Sequence, residues 1–323
     1  MLGSILALAS AALFGLNTAS IRRGVLTGSV LHALAITVPL GVPLFALAYT
    51  AFGGLRSPSS FSYPGWIWFA LAGVVHFAVG RYGNYRATRA IGATLSAPLQ
   101  QISIPVSLAL ALVFLDETLT VLKLAGILLV VTGPVVATWR PTGAGVAAAP
   151  SGFRPAYREG VFWGAVGGIA YGVSPLLIMR GLGSDGGLTD SLAGGLISYS
   201  AAAIVILGVV LAVGGRSFMG QLDRTAGKWF LVSTVLVFLS QMFRYMALAI
   251  APVSVVVPIQ RMSIIFRLIF SWIFNREHEL FGSRLLLGMA MSLIGAAALT
   301  ISTEFVQSML TAEWASFLEL EWP

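Results

Sequence analysis

Long apolar runs, separated by short polar punctuation, organise this chain. Runs of about 20 apolar residues match the length of helices that cross a bilayer core ~30 Å thick. Ten such helices are predicted, over residues 2–21, 30–52, 66–85, 94–115, 122–138, 160–179, 192–213, 228–245, 254–274 and 285–302. The first run starts at Leu2 with no basic segment before it and leads into more hydrophobic spans, so it is read as the first span and not as a cleavable leader. A Pro/Gly/Ala-rich linker with Pro141, Pro150 and Pro155 occupies residues 140–158 and is polar enough to lie outside the membrane. Residues 303–323 form an acidic, aromatic tail in which Phe305, Met309, Trp314 and Phe317 fall at roughly helical spacing, the pattern of a segment lying on a membrane surface.

The two halves repeat one another. A shift of 157 carries Gly3, Phe14, Gly15, Arg23 and Gly24 onto Gly160, Tyr171, Gly172, Arg180 and Gly181. A shift of 160 carries Tyr85, Pro98, Gln100, Ser103, Phe114 and Glu117 onto Tyr245, Pro258, Gln260, Ser263, Phe274 and Glu277, and a shift of 162 carries Gly126 and Gly133 onto Gly288 and Gly295. A collinear series through five helices predicts two copies of a five-helix unit, residues 1–139 and 159–302. Five is odd, so the second copy enters the membrane from the opposite side. The expected fold is all-α and integral to the membrane, with ten transmembrane helices as two inverted five-helix repeats.

Charge follows that scheme. The loops after helices one, three, five, seven and nine hold twelve basic residues (Arg22, Arg23, Arg86, Arg89, Arg140, Arg154, Arg158, Arg216, Arg224, Lys228, Arg276 and Arg284), and the loops after two, four, six and eight hold three (Arg56, Lys123 and Arg180). By the positive-inside rule the odd loops are cytoplasmic and both termini outside. Composition agrees with a membrane protein: 57 % of residues are hydrophobic, 10 % are charged, and the mean hydropathy is +0.90. A soluble domain needs roughly 25 % charged residues to cover its surface. The net charge of +7 would suggest nucleic acid in a soluble protein; here it sets orientation, and no nucleic-acid partner is expected. No cysteine is present, and His32, His76 and His278 are too scattered for a metal site, so neither metal nor cofactor is expected.

The chain resembles the ten-helix, EamA-type branch of the drug/metabolite transporter superfamily over roughly residues 2–302. The resemblance rests on the paired repeats, on the segment 90–98 with Gln100, on Phe114-Leu115-Asp116-Glu117-Thr118-Leu119-Thr120, and on Gly126 with Gly133. The second copy has a weaker version, Phe274-Asn275-Arg276-Glu277, ahead of Gly288 and Gly295. Members of that family export amino acids, nucleotide sugars, sugar phosphates or drugs, or move lipid-linked sugars, and usually keep both termini in the cytoplasm. The resemblance implies transport and leaves the substrate open.

Candidate chemistry lies in the polar residues at bilayer depth, where an ionisable group costs several kcal/mol unless it faces a cavity or a partner. Arg81, Arg244, Arg261 and Arg267 are placed there, whereas all twelve acidic residues fall at predicted helix ends, in loops or in the tail. A guanidinium without a carboxylate is a fork of donors suited to a carboxylate or phosphate. Arg81 and Arg244 are close enough to helix ends to reach the interface; Arg261 is the deepest. Neutral groups surround them: Gln100, Gln101, Gln241, Gln260, Tyr82, Asn84 and Tyr245, with bridging between helices as the alternative role for the amides. His76, the only mid-helix histidine, is a candidate carrier of a coupling proton, or else a hydrogen-bond partner. Pro98, Pro105 and Pro258 fall inside predicted helices four and nine and favour kinks usable for gating. Gly160, Gly164, Gly168 and Gly172 recur every four residues, with Gly3 and Gly15 among their counterparts, and predict a close-packed helix face.

The leading expectation is a secondary transporter of the plasma (inner) membrane, a monomer or homodimer, moving a small anionic or zwitterionic metabolite by alternating access. The alternatives are a flippase for an anionic lipid-linked precursor, or an amino-acid or drug exporter of the same family. The chain lacks the phosphate loop of an ATPase, and neither an intramembrane acid nor a cysteine is present to build a catalytic pair, so an enzyme is not expected.

Overall fold

The computed structural model describes residues 2–55, 61–115, 119–138, 150–183, 186–251, 256, 259–298 and 321–322. Pro258, Asp116–Thr118, most of the linker and nearly all of the tail lie outside the described residues. The rest is almost wholly helical: α1 Leu2–Thr27, α2 Val30–Thr37, α3 Gly41–Ala51, α4 Tyr63–Gly73, α5 Arg81–Ser96, α6 Ser103–Leu115, α7 Val121–Thr138, α8 Tyr157–Leu182, α9 Leu188–Ala212, α10 Arg216–Gly220, α11 Arg224–Ile250, α12 Ser263–Asn275 and α13 Ser283–Ala298. A π-helix, Val74–Gly80, joins α4 to α5, and a 3₁₀ turn, Pro98–Ile102, leads into α6. Leu119 and Thr120 pair antiparallel with Trp322 and Glu321.

Six helical stretches among the described residues are long and apolar enough to cross a membrane: Leu2–Thr27, Val30–Ala51, Tyr63–Ser96, Tyr157–Leu182, Leu188–Ala212 and Arg224–Ile250. Shorter apolar helices cover Leu124–Thr138 and Ser283–Gly295. The arrangement of side chains is that of a protein dissolved in lipid. Leu47, Leu128, Ile204 and Leu211 are each more than three-fifths exposed, while Asn17, Thr18, Thr88, Asn84, Ser174, Ser198 and Ser233 are fully buried. Polar groups turn inward because hydrocarbon offers them no hydrogen bonds.

Helix ends follow local chemistry. The Ser29 side chain accepts from the His32 amide at the start of α2, Ser62 accepts from Gly65 in α4, and Asp223 accepts from Ala226 in α11. Arg22 and Arg23 do not end the first helix, which continues to Thr27. Pro105 is the third residue of α6, in the first turn, where its missing N–H is not needed. The sharpest break in the Tyr63–Ser96 stretch is at Gly92, whose φ of +88° only glycine adopts freely.

Packing crosses between the halves. α1 packs against α11 and α12, and α8 packs against α5, α6 and the π-helix. Small residues make those approaches possible. A Cβ on Gly15 would meet the Phe266 and Arg267 backbone at 2.8–2.9 Å, and one on Gly172 would meet the Ser103 carbonyl oxygen at 2.7 Å. Gly3, Gly160, Gly164 and Gly168 face Ala251, Ile91, Leu99 and the Leu99 carbonyl with equally little room.

Candidate substrate site

A cavity opens where these crossings meet. Ser10 and Phe14 of α1, His76 of the π-helix, Tyr171 of α8, Ser240, Gln241 and Arg244 of α11, and Gln260, Arg261 and Ser263 line it. It encloses about 430 Å³ of empty space including its mouth. Water centres reach about 50 Å³ of it, room for about four waters at ~10–15 Å³ each. A small charged group fits this volume.

The side chains are held from several directions. The π-helix inserts an extra residue per turn around His76, a distortion frequent at functional sites. The His76 ring lies 4.4 Å from that of Tyr171, and its two nitrogens are 3.4 and 3.5 Å from Arg244 Nη1. Arg244 also donates to Gln241 Oε1 at 3.3 Å and to Ser174 Oγ at 3.3 Å. All of these partners are neutral. Gln260 Nε2 donates to Ser10 Oγ at 3.3 Å, and the Ser240 hydroxyl donates to the Ser10 carbonyl oxygen at 2.9 Å. Arg261 reaches the wall with its Nε unpartnered among the described residues. Among the described residues no acidic side chain lines the cavity.

Five expected site residues thus come together: His76, Gln241, Arg244, Gln260 and Arg261. Others lie elsewhere. Arg81 donates to the Tyr199 hydroxyl at 2.7 Å and sits over the rings of Phe77 and Tyr199. The Tyr245 hydroxyl donates to Ser198 at 3.0 Å, and Tyr82 packs edge-on against Trp163. Gln100 and Gln101 are buried, and Gln101 Nε2 lies 3.5 Å from the Arg261 carbonyl oxygen. Arg267 is 2 % exposed and lies over Phe14, and Asn84 is fully buried. Sequence reasoning passed over Ser10, Phe14, Tyr171 and Ser240 as site residues. Phe14 and Tyr171 carried one usable signal, since they correspond under the repeat.

A second polar centre was also missed. Arg22, 1 % exposed, places Nε 3.1 Å from Glu279 Oε1. The Glu279 carboxylate accepts from the Ala93 amide at 2.7 Å, the Thr94 amide at 3.0 Å and the Thr94 hydroxyl at 2.6 Å. Gly92 frees those amides by breaking the helix, and a Cβ there would strike the carboxylate. Arg22 further donates to the carbonyls of Thr88, Arg89 and His278, with Phe153 beneath its guanidinium. Glu279 is therefore a buried acid, although its place between predicted helices nine and ten suggested a solvated loop.

Comparison with curated protein sequences finds no match. A crystal structure of a protein aligns with a TM-score of 0.58 at 16 % identity, covering 96 % of this chain and 98 % of that chain, a likeness of fold. Residues 1–139, somewhat under half of the chain, match the model of the EamA-like transporter family, a match that places this segment in the drug/metabolite transporter superfamily.

Proposed function

We propose that this protein moves a small anionic or zwitterionic metabolite across the plasma membrane by alternating access. One observation carries the reading: Arg244 and Arg261 share a cavity wall with amides and hydroxyls and, among the described residues, with no acid. A buried positive cavity without a counter-ion favours an anionic ligand. Gln260, Gln241, Ser10 and Ser240 supply the uncharged contacts, and His76 is the candidate for a coupling proton. The same reading includes ten spans in two inverted repeats, residues 1–139 and 159–302. The reciprocal packing of α1 on α11 and α12, and of α8 on α5 and α6, supports it.

The test is transport of radiolabelled anions by reconstituted protein. Arg261→Gln should abolish uptake while the protein still inserts and folds, since it removes a buried charge. Arg261→Lys should stay impaired, because a point charge does not replace a planar fork. Full transport by a well-folded Arg261→Gln protein would make this arginine structural and remove the main support for an anionic substrate.

A further inference from the structure

The cavity lining does not include a second group of buried polar side chains around Tyr171. Arg81, Asn84, Tyr85 and Arg267 are each at most 2 % exposed. Arg81 Nη1, the Tyr85 hydroxyl, and Arg267 Nε and Nη1 have no hydrogen-bond partner among the described residues. Arg81, Tyr85 and Arg267 act electrostatically on the Tyr171 hydroxyl, and the Asn84 amide lies within hydrogen-bonding reach of it. Arg267 lies 5.7 Å above the Phe14 ring, which meets Tyr171 edge-on at 6.2 Å. Buried polar groups are normally paired, and leaving a donor unpaired costs about 1–3 kcal/mol, more for charged groups. Four unpaired donor atoms on three neighbouring side chains describe a site awaiting an acceptor.

The repeat gives the same result from the sequence. The shift of 160 carries Arg81 and Asn84 onto Gln241 and Arg244. Each copy therefore places one arginine and one amide three residues apart, in opposite order. The pair from the second copy lines the cavity. The pair from the first copy lies outside that lining and close to Tyr171, with Arg267 contributed by the other half.

Resting on the anionic reading above, we infer a second anion subsite formed by Arg81, Asn84, Tyr85 and Arg267, so that the transported molecule carries an anionic group at each end. One end is held by Arg244 and Arg261. The other enters the second group and accepts its unused hydrogen bonds. The Tyr171 ring, packed between His76 and Phe14, runs alongside the body of the ligand. A molecule with one anionic group leaves one of the two sets unpaired, so the site discriminates in favour of two-ended acids.

Titration of the purified full-length protein in lipid nanodiscs tests this, with four- to six-carbon straight-chain dicarboxylates against monocarboxylates of equal length. At least one dicarboxylate should bind roughly tenfold or more tighter than its monocarboxylate counterpart, the effect of one added charge-assisted contact. Arg267→Gln should bring that ratio to about one. Tyr85→Phe, which deletes a hydroxyl with no partner and so threatens no native contact, should lower the ratio as well. An unchanged ratio in both variants overturns the second subsite, as does equal binding of the two acids by the unmodified protein when Arg261→Gln abolishes that binding. If neither acid binds the unmodified protein, the anionic reading itself falls and the second subsite falls with it.

Discussion

Replacing Glu279 by Gln keeps size and removes charge at a point where three segments distant in sequence meet. The carboxylate accepts three hydrogen bonds at 2.6–3.0 Å from Ala93 and Thr94 and lies 3.1 Å from Arg22. Both partners are almost fully buried. An amide presents one oxygen and one NH₂, so in either orientation its NH₂ faces a donor from α5 or from Arg22. At least one backbone or guanidinium donor then loses its acceptor. Breaking one partner of a buried pair costs about 3–5 kcal/mol. Arg22 retains the Thr88, Arg89 and His278 carbonyls, which places the expected loss at the lower end, about 3 kcal/mol. Equilibrium unfolding in mixed micelles measures it directly. Arg22→Gln and the Arg22→Gln/Glu279→Gln double variant complete a cycle, and the pair should couple by about 1–3 kcal/mol. A Glu279→Gln protein as stable as the parent, or a cycle with no coupling, would refute the assignment of this cluster as a structural clasp.

Three further outcomes follow from the same packing. Gly92→Ala should cost at least about 2 kcal/mol by the same unfolding assay, because alanine is strained at φ +88° and its methyl displaces the Glu279 carboxylate; a neutral effect would mean that α5 is not broken there. Gly172→Val should destabilise by about 1–3 kcal/mol, since its Cβ alone meets the Ser103 carbonyl and Val106 at 2.7 Å. Asp223 is held below the usual carboxylate range by the Ala226 amide and then by the Thr27 hydroxyl, so its contribution is present above the unfolded value and lost as pH falls through the lower folded one. Asp223→Ala should therefore flatten the acid limb of a stability–pH profile below about pH 4, and an unaltered limb would show that the cap contributes nothing.

The membrane class, the apolar runs and the deep arginines were legible in the sequence because each depends on local composition. The details that went astray depend on contacts between distant segments. Arg22-Arg23 reads as the end of a span, since two charges normally mark an interface. Only the folded chain supplies Glu279 and three carbonyls that let the helix run on to Thr27. Gly92, in the connection between the predicted runs 66–85 and 94–115, carries a weak signal of a break, yet only the structure shows that helix runs through this connection and that the freed amides grip a carboxylate from the far half. The π-helix around His76 leaves no trace in residue type. Ser10 and Ser240 look like small residues of a packing face, and they become cavity residues only because Gln260 and Arg261 arrive opposite them.

The buried arginines separate by how their charge is met, and that separation assigns their roles. Arg22 has a carboxylate and three carbonyls, a complete set of acceptors for a structural ion. Arg81 has a tyrosine hydroxyl and two aromatic faces, which stabilise a cation in part and leave one nitrogen unused. Arg244 has only neutral acceptors at 3.3–3.5 Å, long for charge-assisted bonds, whose usual length is about 2.7–2.9 Å. Arg261 and Arg267 have guanidinium nitrogens with no partner among the described residues. If all five served packing alone, their partners would not thin out toward the Phe14–Tyr171 contact between the two halves. The deficit is greatest where a ligand would bridge the halves, and a carboxylate or phosphate is the acceptor whose geometry fits a free guanidinium edge.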